Sequence, residues 1–157
     1  MNNILSQLRE IDTFIFDVDG VFTDGRLLVS EEGFMLRVMN AKDGFAVKYA
    51  LNQGYNIVII TGGRSKGVAS RFEKLGVREV HIDVPDKIKV LQEVQERINF
   101  DLSKSIYMGD DIPDLEVMKM VHFPCCPSDA VQEIKQISKF ISTRKKLREK
   151  FGRKRSD

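Results

Sequence analysis

A parallel α/β sandwich is the fold that this sequence predicts, on three observations. Short apolar runs rich in β-branched and aromatic residues recur along the chain, amphipathic stretches with helix-end signals separate them, and polar clusters stand directly behind them. The runs are "TFIF" (13–16), "NIVII" (56–60), "EVHI" (79–82) and "SIYM" (105–108). Each is short and mostly apolar, as strands covered on both faces are.

The intervening segments read as helices. "DGFAVKYALNQG" starts at Asp43, a suitable N-cap, and stops at Gly54, a suitable C-cap. "SKGVASRFEKLG" sets Val68, Phe72 and Leu75 on one face before Gly76, and "PDKIKVLQEVQERI" does the same with Ile88, Leu91, Val94 and Ile98. "DDIPDLEVMKM" carries Pro113 where a first helical turn accepts it, and "PSDAVQEIKQI" completes the series. One segment breaks the alternation. "RLLVSEEGFMLRVM" (26–39) reads as a β-hairpin around Gly33, apolar on both faces, so that Leu27, Leu28, Val29, Phe34, Met35, Leu36, Val38 and Met39 cannot all lie against one domain. Such a hairpin calls for a second surface, most simply another copy of the chain.

At 157 residues the chain is one domain long. No stretch reaches the roughly 20 apolar residues of a membrane span. Arg9 and Glu10 stand where a signal peptide would be apolar, so a soluble, cytoplasmic protein is expected. Cys125 and Cys126 are adjacent, which suits buried thiols rather than a disulfide or a metal spacing. The net charge of +2 conceals an uneven distribution: 143–157 holds eight Lys/Arg and two acids, leaving 17 basic against 21 acidic side chains elsewhere. The expected organisation is a globular domain over 1–142 and a basic tail over 143–157, which by itself gives no case for nucleic acid.

Every polar cluster follows a predicted strand, where ligands of parallel α/β sheets sit. Asp17, Asp19 and Asp24 follow the first, "TGGRS" with Thr61 the second, "PDK" with Lys87 the third, and "GDDIPD" with Asp110, Asp111 and Asp114 the fourth. If the first and fourth strands are neighbours, Asp17 and Asp110 converge, and hard carboxylate oxygens held together select Mg²⁺. Gly20, Gly62 and Gly63 leave backbone N–H groups accessible to an anion, Thr61 adds a hydroxyl and Lys87 a positive charge. Together these suit a phosphoryl group undergoing transfer, with a carboxylate as nucleophile.

In order and at strand ends, "DVDG" with "TDG", Thr61, Lys87 and "GDDIPD" resemble the four motifs of the haloacid dehalogenase (HAD) superfamily, over Phe14 to about Ile141. "FDVDGVFTDGRL", "AKDGFAVK" and "GDDIPDLEVM", with a hairpin in place of a cap domain, resemble its uncapped 3-deoxy-D-manno-octulosonate 8-phosphate (KDO8P) phosphatases, whose relatives act on nine-carbon acids. The resemblance implies a Rossmann-like HAD fold and a homotetramer whose hairpins assemble a barrel over the active sites. It implies Asp17 as nucleophile and Mg²⁺ ligand, Asp19 as acid/base with its carbonyl on the metal, and Asp110 as third ligand. Asp111 and Asp114 would orient these groups, while Gly20, Thr61, Gly62 and Lys87 would hold the phosphoryl oxygens. Arg64 and Arg71 are the candidates for the substrate carboxylate, in a pocket that Gly63 leaves open where relatives carry a larger residue. Asp24, before Gly25, divides between a site role and turn chemistry, and His81 and His122 read as core or edge residues.

The resemblance fails at the end of the chain. Where the family has a Gly-rich segment that reaches a neighbouring site, "FISTR" runs into "KKLREKFGRKRSD" with only Gly152. Two other functions compete with a sugar acid phosphatase acting in lipopolysaccharide sugar synthesis. A phospho-acceptor signalling domain uses a similar set of residues, but its aspartate ends the third strand. A non-catalytic assembly subunit would keep the hairpin and the basic tail without the chemistry.

Overall fold

The computed structural model describes residues 4–143. The basic tail predicted over 143–157 therefore lies, Thr143 apart, outside the described residues. After a short helix, α1 (Ile4–Leu8), the chain lays down β1 (Thr13–Phe16), the hairpin strands β2 (Leu28–Val29) and β3 (Met35–Leu36), α2 (Ala41–Asn52), β4 (Asn56–Ile60), α3 (Lys66–Leu75), β5 (Glu79–His81) and α4 (Lys87–Ile98). It continues with β6 (Ser105–Met108), a 3-10 turn (Ile112–Asp114), α5 (Leu115–Met118), β7 (Phe123–Pro127), α6 (Gln132–Ile137) and β8 (Phe140–Ser142). Six strands form one sheet in the order β5-β4-β1-β6-β7-β8, every neighbouring pair parallel.

Alternation along the strands divides the core into layers. Ile57 and Ile59 face α2 and α3 with Val18, Phe22, Val47, Val68 and Phe72. Val58 and Ile60 face the opposite side with Ile15, Leu91, Val94, Tyr107, Met118 and Ile134, under α4, α5 and α6. Side-chain caps open α3 and α4, Ser65 accepting from Val68 N and Asp86 from Lys89 N, and Gly76 closes α3 in the left-handed region. Both predicted caps of α2 shift. Asn40 is its N-cap, accepting from Lys42 N at 2.8 Å, because the helix begins before Asp43, which stands in the first turn; Gln53 is the C-cap, with Gly54 just beyond at φ +89°.

The hairpin forms as predicted but pairs only two residues on each arm, Leu28 with Leu36 and Val29 with Met35. Leu27, Leu28, Val29, Phe34, Met35, Leu36 and Val38 are all exposed on the single chain, while Met39 packs against the core. Cys125 and Cys126 are buried free thiols on β7, and burial pushes the Cys125 thiol up to about 12. Among the described residues no helix is long and apolar enough to cross a membrane.

Phe72, 1% exposed, meets the edge of Phe22 at 4.9 Å between ring centroids and ties α3 to the loop after β1. Phe72→Ala is expected to cost about 3–5 kcal/mol of stability, read from denaturant unfolding.

Candidate active site

Because β1 pairs with both β4 and β6, the loops after these three strands open side by side at the carboxyl edge of the sheet. Asp17 leaves β1 with its N–H bonded to Met108 O at 3.0 Å, which fixes its backbone to the end of β6. Asp110 follows Met108 and Gly109, and carboxylate oxygens of Asp17, Asp110 and Asp114 lie within 4.8 Å of one another. The predicted convergence of Asp17 and Asp110 is therefore present, with Asp114 as a third member.

Lys87, the first residue of α4, points its ammonium into this group, 2.7 Å from Asp114 Oδ1 and 3.1 Å from Asp17 Oδ1. Asp114 is fully buried and spends its oxygens on holding others: Tyr107 donates to Oδ1 at 2.9 Å, and the N–H groups of Asp110 and Asp111 approach Oδ2 at 3.2 and 3.5 Å. Asp111 is exposed and caps the 3-10 turn, its Oδ1 accepting from Ile112 N at 2.8 Å. Gly20, at φ +84°, passes so close to Asp110 that any Cβ would collide with its carboxylate. Thr61 is buried behind β4, its hydroxyl accepting from Gly63 N at 3.1 Å, while Gly62 is exposed beside it.

Three carboxylates around one ammonium leave the centre with excess negative charge. Burial first, then Asp114, raise Asp17 to about 6 against the pull of Lys87. Burial and the neighbouring aspartates raise Asp110 to about 7. Burial opposes the charge on Lys87, yet Asp114 and Asp17 outweigh it and hold the ammonium above its ordinary value. Burial, then Asp114, put the Tyr107 hydroxyl well above its ordinary range, so it stays a donor. A cluster of carboxylates that resist ionising next to one another is a fitting set of donors for a hard divalent cation.

Asp19 stands apart from the trio. Arg37, on the second hairpin arm, grips both its oxygens, Nε to Oδ1 at 3.0 Å and Nη2 to Oδ2 at 3.2 Å, with Nη1 on Met35 O at 2.8 Å. The pocket expected to be open at Gly63 is occupied there: a Cβ on Gly63 would lie 2.7 Å from Arg37 Nη2 and 3.3 Å from Asp19 Oδ2. Sequence reasoning passed over Arg37 and Tyr107. The signal for Arg37 is its position as the one cation in an otherwise apolar arm, "FMLRVM".

The remaining candidates separate. Arg71 lines a cavity of about 430 Å³ between the second hairpin arm and the start of α3, together with Arg37. Arg64 does not line it; its side chain is 85% exposed and pairs with Asp83 at 2.8 Å. Asp24 accepts from Arg26 N at 3.0 Å and pairs with its side chain, which is turn chemistry. His81 bonds Glu79 at 2.8 Å at the sheet edge, and His122 is exposed before β7, so neither joins the centre.

Known proteins are similar to this chain in sequence and fold. A haloacid dehalogenase-like hydrolase family profile matches residues 79–147. The 3-deoxy-D-manno-octulosonate 8-phosphate phosphatase KdsC of Escherichia coli strain K12 is 29% identical over 128 residues, covering 82% of this chain and 68% of that protein. A Vibrio cholerae structure provisionally described as the same phosphatase superposes with a TM-score of 0.86 at 31% identity, over 89% of this chain and 78% of that one. The Moraxella catarrhalis phosphatase, crystallised with magnesium, phosphate and KDO, gives 0.86 at 28% identity over 92% and 83%.

The raised carboxylates set a pH dependence with a definite sign. A carboxyl whose pKa is higher folded than unfolded contributes stability at low pH that is lost as pH rises through the folded value. Without divalent metal, the melting temperature is expected to fall as pH rises from about 4 to about 7, from the ordinary carboxyl value of 3.8 up through the values near 6 and 7 of Asp17 and Asp110. Asp110→Asn should flatten that decline, and added Mg²⁺ should reverse it, both read in thermal melts.

Proposed function

Since the chain belongs to the haloacid dehalogenase superfamily, among its uncapped KDO8P phosphatase-like phosphoric monoester hydrolases, we propose that it hydrolyses a keto-deoxy sugar acid phosphate with Mg²⁺, KDO8P before nine-carbon analogues. The observation that carries this reading is Asp17, buried at a strand end with an ammonium 3.1 Å from one oxygen and a second aspartate two residues on.

Lys87 and the hydroxyl of Thr61, with the N–H group of Gly62, bind and orient the phosphoryl oxygens; the N–H of Gly20, expected to join them, instead donates to Thr23 Oγ1 at 3.1 Å. Asp17 attacks phosphorus and the bond to the sugar oxygen breaks; Asp19, protonated once an oxygen is released from the Arg37 pair, delivers its proton to the sugar oxygen, leaving an aspartyl-phosphate and free sugar acid. Asp19, now ionised, takes a proton from water as that water attacks phosphorus, and Asp17 is regenerated with release of phosphate. Asp17, Asp110 and the backbone carbonyl of Asp19 would hold Mg²⁺, which offsets charge on the phosphoryl oxygens and on the carboxylates around it. Asp114 and Tyr107 act through Lys87 and the backbone of Asp110, keeping both in place. Asp111 contributes through the 3-10 turn, and Arg71 faces the substrate's acid end from the cavity. The KDO bound to the Moraxella enzyme favours the pathway of lipopolysaccharide sugar synthesis, in the cytoplasm.

The test is phosphate release from a panel of sugar phosphates with and without Mg²⁺. KDO8P is expected to be the best substrate, and Asp17→Asn to fall below about one thousandth of the parent rate. Release that survives in Asp17→Asn, or needs no divalent metal, would count against the mechanism.

We also propose that the hairpin joins copies of the chain, as seven exposed apolar side chains on one short ribbon require a covering surface. Leu28→Glu with Phe34→Glu is expected to lower the mass measured by sedimentation to that of the monomer.

A further inference from the structure

Distance alone makes Asp114 an equal member of the carboxylate trio, but its oxygens are spent differently. A carboxylate offers about four lone-pair sites. On Asp114 all of them are taken. Lys87 Nζ at 2.7 Å and the Tyr107 hydroxyl at 2.9 Å occupy Oδ1, and the N–H groups of Asp110 and Asp111 approach Oδ2 at 3.2 and 3.5 Å. Asp17 accepts from Lys87 and from the Val18 N–H, and among the described residues no donor reaches the carboxylate of Asp110. Two of the three acids therefore keep oxygens open to a cation, and the third does not.

The saturation of Asp114 is built into the sheet. Its side chain lies where Gly109 has no Cβ, since one there would stand 2.6 Å from both Cβ and Cγ of Asp114. Tyr107 comes from the middle of the sheet on β6, fully buried among Ile15, Leu91 and Met118, so its ring delivers the hydroxyl from a fixed direction. Of the four donors on Asp114, this hydroxyl is the one that neither carries charge nor belongs to the backbone of the 3-10 turn.

We infer that Tyr107 withholds Asp114 from the divalent cation, so that the metal meets two carboxylates rather than three, and that this hydroxyl thereby sets the preference of the centre for Mg²⁺ over Ca²⁺. This rests on the Mg²⁺ reading given above. Mg²⁺ demands near-octahedral geometry, keeps several waters and is served by one or two carboxylates, whereas Ca²⁺ gathers roughly six to eight oxygens in looser arrangements. Freed at Oδ1, Asp114 becomes a further anionic oxygen within reach of the same centre, which profits the larger and less exacting ion. Tyr107 is thus a positioning residue, acting through Asp114.

Calorimetric titration of magnesium chloride and calcium chloride into the metal-free full chain tests this. In Tyr107→Phe the ratio of the Ca²⁺ to the Mg²⁺ dissociation constant is expected to fall at least about tenfold, through tighter binding of Ca²⁺. Adding Asp114→Asn to that variant should cancel the gain. A ratio that is unchanged or raised in Tyr107→Phe, as when both ions weaken alike through loosened packing, would overturn the inference and leave the Mg²⁺ reading standing. Should the parent protein bind neither ion, the Mg²⁺ reading itself fails and the inference falls with it. If Tyr107→Phe does not fold, the parent protein loaded with Mn²⁺ in isotope-labelled water carries the test, read by electron-nuclear double resonance. Octahedral Mn²⁺ on Asp17, Asp110 and the Asp19 carbonyl keeps about three waters, which would support the inference; about two, with Asp114 as a further ligand, would overturn it.

Discussion

Lys87 Nζ lies 2.7 Å from Asp114 and 3.1 Å from Asp17, and without that ammonium three carboxylates would face one another at the edge of a sheet that has already taken two of them out of water. Removing one partner of such a buried pair costs about 3–5 kcal/mol, because the charge left behind has nothing to replace it. The surrounding construction follows from this. Asp86 caps α4 and so sets the direction in which Lys87 projects, Tyr107 turns its hydroxyl to Asp114, and the 3-10 turn after Asp111 brings the Asp114 carboxylate back beneath the backbone of Asp110. Even so, the centre keeps more negative than positive charge, visible in the raised values of Asp17 and Asp110.

The parts of this architecture that depend on short-range pattern were legible in the sequence. "TFIF", "NIVII" and "SIYM" are strands at the expected bounds, because a central parallel strand is apolar on both faces and has little else to be. The strand over Phe123–Pro127, "FPCCP", was hidden by its prolines. Pro124 is tolerated because its carbonyl, accepting from Lys139 N at 2.8 Å, faces the side where β8 starts only opposite Cys125, so the missing N–H interrupts no ladder bond there. The three-residue β8 carries too little pattern to be read as a strand on its own. The strand ends named Asp17, Asp110, Lys87 and Thr61, since polar residues behind apolar runs are visible one run at a time. Arg37 was not visible in that way. Its contact with Asp19 spans 18 residues and depends on where a hairpin folds back, which composition does not report.

The same contact explains why the hairpin is more than a covering strip. Its strands pair over only two residues each, too few to fix the ribbon by themselves. What anchors its second arm is a bidentate ion pair to Asp19, a bond to Met35 O from the same guanidinium, and Met39 packed with the core. An apolar ribbon and the proposed acid/base are thus tied by one side chain, so displacement of either is felt by the other.

The acids that meet at the sheet edge come from opposite ends of a long excursion of the chain, Asp17 just after β1 and Asp110 and Asp114 after β6. In the unfolded chain they are remote and do not repel, and pairing β1 with β6 requires closing a large loop before any contact is gained. Repulsion among them is therefore a property of the assembled sheet alone, and any ligand that relieves it recognises only that state. Its stabilisation arrives after the central strands have met, so it lengthens the lifetime of the folded molecule without hastening its formation. A centre assembled in this way serves as a late clasp, and the persistence of the sheet comes to depend on whether it is filled.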